Sequence, residues 1–354
     1  MFDRLSLLVV DDSPFASKVL MEVFRALHID RISKAAGGKD AVALLRSFKN
    51  PLTAGLPPYD VILLDYRMPS INGAMVLRWI RQSPESPDRF QPVIMMSAVA
   101  ETATVHEARD LGVTEFISKP FSVKSVTDKL IEIIDKPRPF YHTKDFFGPD
   151  RRRQNRQIEQ SERRTATAAD VETIYSGKKT QPQNAQAKVF RYELPNRLGA
   201  KIKGMSREPL VIDPSILLAA EQQLERMDND YAEWVKDSLV QLNEAYEKCA
   251  ATEDFIRRAS YAPTMCQIAH ELRGQGTTFG YPLITEFSRS LFHVTLKVES
   301  IDDLLLELLK THIDGITLVI REKIRGSAGE VGASLYTGLQ KAQQKFASAK
   351  APAD

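Results

Sequence analysis

The chain reads as an α/β domain, a doubly wound five-stranded parallel sheet, followed by an all-α helical bundle. Three observations carry this. Residues 1–135 alternate short apolar runs with amphipathic stretches, the signature of a parallel sheet with helices on both faces. Residues 136–210 interrupt that rhythm with prolines and basic residues. From Asp213 onward the pattern is helical throughout. A length of 354 residues suits two domains and a connector better than one core.

In the first part, Leu5–Val10, Val61–Leu64, Val93–Met96 and Glu115–Ile117 predict buried strands, and Arg31–Ala35 a weaker one. Between them Phe15–Leu27, Lys39–Phe48, Ala74–Arg81, Ala103–Leu111 and Ser125–Ile134 have helical spacing. The second part, 136–210, is expected to be a basic, proline-containing and largely flexible linker. Six prolines break any long helix, and the arginine-rich run 151–157 cannot bury itself. Two patches in it, 140–150 and 189–198, are aromatic enough to dock locally. The third part, 211–350, starts at Asp213-Pro214, a cap followed by proline at the first helical position. One long helix is expected over about 215–249, then others near 254–279, 283–298, 302–324 and 330–347, joined by short connections.

Charge divides the chain the same way. The overall +2 is the sum of −1 over 1–135, +9 over 136–210 and −6 over 211–354. The basic middle reads first as a solvated linker, with nucleic-acid binding as the less favoured use of such a cluster. No apolar run reaches the ~18 residues of a membrane-spanning helix. Cys249 and Cys266 form no CxxC pair, so a soluble protein of the reducing cytoplasm is expected.

In an open parallel sheet the ligand site lies at the carboxyl ends of the strands. Asp11 and Asp12 follow the first strand, Asp65 the third; Ser97 ends the fourth and Lys119 the fifth. Converging carboxylates call for a cation, and hard oxygen donors at an open site suit Mg²⁺. An acid cluster, a hydroxyl and a lysine at successive strand ends make a site for a phosphoryl group: a carboxylate as nucleophile, cations to neutralise the transferring oxygens, and a hydroxyl donor. A lone strand-end aspartate is more often a helix cap; the joint spacing is what argues for chemistry.

The strings VVDDSP (9–14), LLDYRMPSING (63–73), MMSA (95–98) and FISKPF (116–121) resemble the receiver domain of two-component response regulators, over about residues 4–135. The resemblance implies a flavodoxin-like fold with Asp65 as the phosphorylated residue. It implies Mg²⁺ held by Asp11, Asp12 and Asp65 with the Arg67 carbonyl, and Ser97 and Lys119 as phosphate-sensing and phosphate-pairing groups. Phe116 takes the place of the family's rotating aromatic switch, although an apolar residue in a buried strand is core by default. The loop Lys49–Pro58 is longer than usual in the family.

In the helical part, MCQIAHELRGQGTTFGYPL (265–283) stands out. At 100° per residue Met265, Ile268, Ala269 and Leu272 form one stripe. His270 lies about 140° from Met265, so it is expected to be exposed, beside a bare patch at Gly274. Glycine inside a helix costs about 1 kcal/mol against alanine, which suggests close approach by a partner. An exposed imidazole is a competent phosphoryl acceptor, with Arg273 one turn on to neutralise oxygens. His270, Leu272, Arg273, Gly274 and Gly280 resemble the motif of histidine phosphotransfer (Hpt) domains, with arginine in place of the usual lysine. HELRGQ also resembles the dimerisation helix of histidine kinases, but only 84 residues follow His270 and none forms a nucleotide-binding box.

No phosphate loop, DNA-reading module or cyclase signature is present. The expected protein is therefore a phosphorelay component and not an enzyme in its own right. It would take phosphate on Asp65 from a sensor histidine kinase and exchange it through His270 with this or another receiver. The competing reading is a response regulator whose helical half is a non-phosphorylated protein-binding output module.

Overall fold

In the computed structural model, residues 2–48, 59–98, 102–151, 171–175, 189–204, 206, 208–326 and 329–350 are described. The expected loop 49–58 and most of the arginine-rich run lie outside them. The strands β1 (Ser6–Val10), β2 (Arg31–Ala35), β3 (Val61–Asp65), β4 (Val93–Ser97) and β5 (Glu115–Ser118) form one sheet in the order β2-β1-β3-β4-β5, every pair parallel. The helices α1 (Pro14–Ala26), α2 (Gly38–Ser47), α3 (Gly73–Gln82), α4 (Thr102–Asp110) and α5 (Val123–Asp135) connect and cover them. β1, β3 and β4 are buried on both faces, which explains their unbroken apolar runs. The register pairs Val10 with Leu64, Asp65 with Met96 and Ser97 with Ser118. All the strands therefore end along one edge, and the residues that follow them are neighbours.

Local chemistry starts the helices at that edge. Ser13 caps α1 by accepting from the Ala16 N–H, with Pro14 at the first position. Asn72 caps α3 by accepting from Met75 N–H. Ser122 and Ser125 form a reciprocal capping box at α5.

The described residues of 136–210 hold strands, most of them in the two aromatic patches 140–150 and 189–198. β6 (Phe140–His142), β7 (Phe147–Pro149), β8 (Val171–Ile174) and β9 (Val189–Tyr192) form a second sheet in the order β7-β6-β9-β8. Its buried residues Phe140, Phe147 and Tyr192 gather around Phe90, with ring centroids 5.2, 5.2 and 5.3 Å away, edge to face. Arg81 completes the junction. Its guanidinium donates to the carbonyls of Gly112, Arg89 and Gln91 at 2.7–2.8 Å and lies 5.3 Å from the Phe140 ring. Gly112 touches β7 so closely that a Cβ on it would meet the Phe147 carbonyl at 2.6 Å. Helix α6 (Arg197–Lys203) is tied down by Lys201 to Asp60 (2.6 Å) and Lys203 to Asp135 (2.5 Å). The apolar partner these aromatics need, Phe90, lies outside 136–210 and well upstream of all three, so no local pattern within 136–210 reveals it.

The chain divides into two compact units at Gln223/Leu224. The expected single helix over 215–249 is two: α7 (Pro214–Arg226) and α8 (Asp228–Ala250), broken at Met227. Asp228 and Asp230 in the first turn of α8 favour a new start there, since acids stabilise helix N-termini. The second unit is helical: α9 (Phe255–Arg258), α10 (Ala262–Gln275), α11 (Pro282–Thr295), α12 (Asp303–Arg321) and α13 (Gly329–Lys350) follow. α10 packs on both α8 and α11, and α12 packs on α8, α11 and α13.

Candidate functional site

The strand-end edge of the first sheet brings Asp11, Asp65 and Lys119 together. Lys119 Nζ lies 2.8 Å from Asp11 Oδ2 and 2.5 Å from Asp65 Oδ1. Each acid is also held from its own loop. Asp11 Oδ1 accepts from the Ser13 amide at 2.9 Å, and Asp65 Oδ2 accepts from the Arg67 amide at 2.9 Å. Ser97 sits beside Lys119 because its carbonyl accepts the Lys119 N–H at 2.7 Å. All four side chains are buried; that of Asp65 is only 2% exposed. Asp12 is half-buried, and its charge is felt at Asp65.

Burial pushes the Asp65 carboxyl well above the usual carboxylate range; Asp11 and Asp12 add to the rise while the Lys119 ammonium opposes it. Burial alone would lower Lys119, but the two carboxylates outweigh it and raise it. Among the described residues no three His, Cys, Asp or Glu side chains close into a metal cage. The cation between Asp11 and Asp65 is the lysine. The donor set still fits a hard dication: buried carboxylate oxygens carrying more negative charge than one ammonium neutralises.

Phe116 is half-buried against the core of the sheet, paired with Met95. Two further residues shape the site: Gly73, the last residue of the 63–73 string, and Tyr66, whose partner was not singled out from sequence. Gly73 packs on the acceptor's own backbone, where a Cβ would stand 2.2 Å from the Asp65 carbonyl oxygen. Tyr66, next to Asp65, donates from Oη to Glu107 Oε2 on α4 at 2.5 Å, a pairing across 41 residues that no motif announces. Burial, and then Glu107, push the Tyr66 phenol up to about 12.

His270 is not exposed as expected. Its ring is 6% exposed, Arg273 and Gly274 are buried too, and Arg273 Nη2 lies 3.0 Å from His270 Nδ1. A guanidinium only donates, so Nδ1 accepts and the ring proton sits on Nε2. Phe292 from α11 covers both, 5.7 Å from the His270 ring and 4.3 Å from the Arg273 guanidinium. The one-stripe reading of α10 assumed a single packing face. The helix has neighbours on two flanks, α8 and α11, and the second covers His270 through Phe292.

Comparison with known proteins bears on part of the first unit. Residues 7–131 match the response regulator receiver domain family. Chemotaxis protein CheY-3 of Vibrio cholerae is 26% identical over 133 residues, 38% of this chain and 94% of that protein. Chemotaxis protein CheY of Pseudomonas aeruginosa is 25% identical over 132 residues, 37% and 98% of the two chains. Among solved structures, a CheX–CheY complex with BeF3 and Mg from Borrelia burgdorferi shares 29% identity over 36% of this chain and 88% of the other, with a TM-score of 0.32. The receiver domain of a sensor histidine kinase from Pseudomonas aeruginosa, with magnesium coordinated in its active-site cleft, shares 27% over 36% and 93%, with a TM-score of 0.30. Among the described residues no helix is long and apolar enough to cross a membrane. Residues 7–131 of this chain are a response regulator receiver domain, the module of two-component signalling.

Proposed function

We infer that the chain is a two-component signalling protein that accepts a phosphoryl group on Asp65 from the phosphohistidine of a sensor histidine kinase. The observation that carries this is the convergence of Asp11, Asp65 and Lys119 at the strand ends, with Ser97 alongside. An Asp65 carboxylate oxygen forms the new O–P bond as the donor's N–P bond breaks. Lys119 neutralises a phosphoryl oxygen, and the Ser97 hydroxyl donates to another. Asp11, Asp12, Asp65 and the Arg67 carbonyl would hold Mg²⁺, which supplies further positive charge to the transferring oxygens. The protein's own chemistry ends there: it is a phosphoacceptor and not an enzyme acting on a separate substrate.

For the helical unit, phosphate exchange through His270 requires uncovering a ring packed under Phe292. That burial favours the other reading, a non-phosphorylated module that binds a downstream protein. One experiment tests both. The full chain is incubated with Mg²⁺ and phosphoramidate or a phosphorylated kinase, and its phosphate is classified as base-labile or acid-labile. One base-labile group, lost in Asp65→Asn, is expected. Acid-labile phosphate lost in His270→Gln would restore the phosphotransfer reading, and labelling that survives Asp65→Asn would overturn the acceptor.

A further inference from the structure

The first unit also carries a cavity of about 870 Å³, at the other edge of the same sheet from the acids. Asp60, Pro92 and Thr114 in its wall stand immediately before β3, β4 and β5, whereas Asp11, Asp65 and Lys119 lie at the strands' far ends. The rest of the wall comes from the end of α5, residues 136–140, Pro149, and the stretch from Glu193 into α6. A space of this size takes a small organic molecule.

Most of the wall is apolar. Tyr59, Phe90, Ile133, Phe140, Leu194 and Leu198 line it, together with six prolines among the described residues. Proline fixes its own backbone and offers no N–H, so such a wall is stiff and poor in donors. Most of its acids are already neutralised. Asp60 pairs with Lys201 at 2.6 Å, Glu115 and Glu132 share Lys129 at 2.9 Å, and Glu193 pairs with Arg191. Asp88 is the exception. Its Oδ1 accepts from the Phe90 N–H at 2.8 Å, and among the described residues no cationic side chain forms an ion pair with it. The Arg81 guanidinium donates instead to the carbonyls of Gly112, Arg89 and Gln91, and Arg197 is exposed. Burial accordingly raises the Asp88 carboxyl above its ordinary value, opposed by the Phe90 N–H, Arg81 and Arg197. A carboxylate without a cation in an apolar wall is where a bound cation gains most.

We propose that this cavity binds a small organic ammonium compound, its protonated amine on the Asp88 carboxylate and its apolar body between Phe90, Phe140 and the prolines. The site is separate from the strand-end acids and does not depend on the receiver reading. Ammonium and carboxylate form a charge-assisted hydrogen bond, so removing the charge from Asp88 weakens binding roughly tenfold or more.

Calorimetric titration of the full chain with tryptamine tests the site, with indole-3-propionate as the same ring carrying an anion. Saturable binding of tryptamine is expected, and far weaker binding of indole-3-propionate. Asp88→Asn, which still accepts from the Phe90 N–H, should weaken tryptamine roughly tenfold or more at an unchanged melting temperature. Leu194→Trp, which fills the cavity, should abolish binding. Tryptophan keeps the ammonium and adds a carboxylate that Arg197 can meet. Tighter binding than tryptamine's identifies an amino acid as the source and weaker binding a simple amine; either ranking, with the Asp88→Asn loss, supports the ammonium site. No saturable tryptamine binding, equal binding of indole-3-propionate, or binding that either variant leaves unchanged would overturn it.

Discussion

Lys119 reaches across the strand ends to within 2.5 Å of Asp65 Oδ1 and 2.8 Å of Asp11 Oδ2, so one buried cation from the residue after the last strand bridges two buried acids. This contact makes the site a structural element as well as a chemical one, because a buried charge left unpaired is costly.

Replacing Lys119 by Met should therefore cost stability as well as phosphorylation. Removing one partner of a buried ion pair leaves uncompensated charge, a loss of about 3–5 kcal/mol. Urea unfolding of residues 1–223 in the full chain at neutral pH without Mg²⁺ measures it. A midpoint equal to the parent's would show that water already solvates the acids.

Gly73→Ala should damage the acceptor loop without touching a functional side chain. The new methyl would meet the Asp65 carbonyl oxygen at 2.2 Å, and that oxygen belongs to a central strand that cannot yield cheaply. A loss of about 1–3 kcal/mol is expected, with slower labelling of Asp65. Normal kinetics and stability would mean that the loop shifts freely.

His270→Gln should destabilise the helical unit, in contrast to the near-neutral effect an exposed histidine would show. The ring fills a buried position under Phe292 and accepts from Arg273. Losing these contacts costs about 1–3 kcal/mol, read as a lower melting temperature. An unchanged melting temperature would place the ring at the surface.

His312 should make the helical unit acid-sensitive. It is wholly buried, its Nδ1 2.6 Å from the Leu308 carbonyl and its Nε2 2.6 Å from Ser290 Oγ. Burial holds it down to about 4, against an ordinary value of 6.5. The unfolded chain then takes up its proton first as pH falls. Stability from this residue is complete above pH 6.5 and drains away toward pH 4, by up to about 1.4 kcal/mol per pH unit. Urea midpoints at stepped pH should follow that slope in the parent and a shallower one in His312→Asn; parallel slopes would count against the assignment.

The sheet and its acidic edge were legible in the amino-acid order because each depends on local information. An apolar run followed by an aspartate places that aspartate at a strand end, and parallel pairing brings the ends together whatever the side chains do elsewhere. The register of β1, β3, β4 and β5 was implicit in those runs. What the order of residues could not show is which surface finds a partner. His270 was placed by one apolar stripe on α10, yet α8 and α11 cover two flanks of that helix, and the second burial has no periodic signature. Phe140, Phe147 and Tyr192 lie in patches expected to dock locally, but nothing local names Phe90, distant in the chain, as their core. The same holds for Tyr66 and Glu107. Local propensity and strand order follow from neighbours along the chain, whereas burial and long-range hydrogen bonds follow from which elements pack together, and tertiary structure alone decides that.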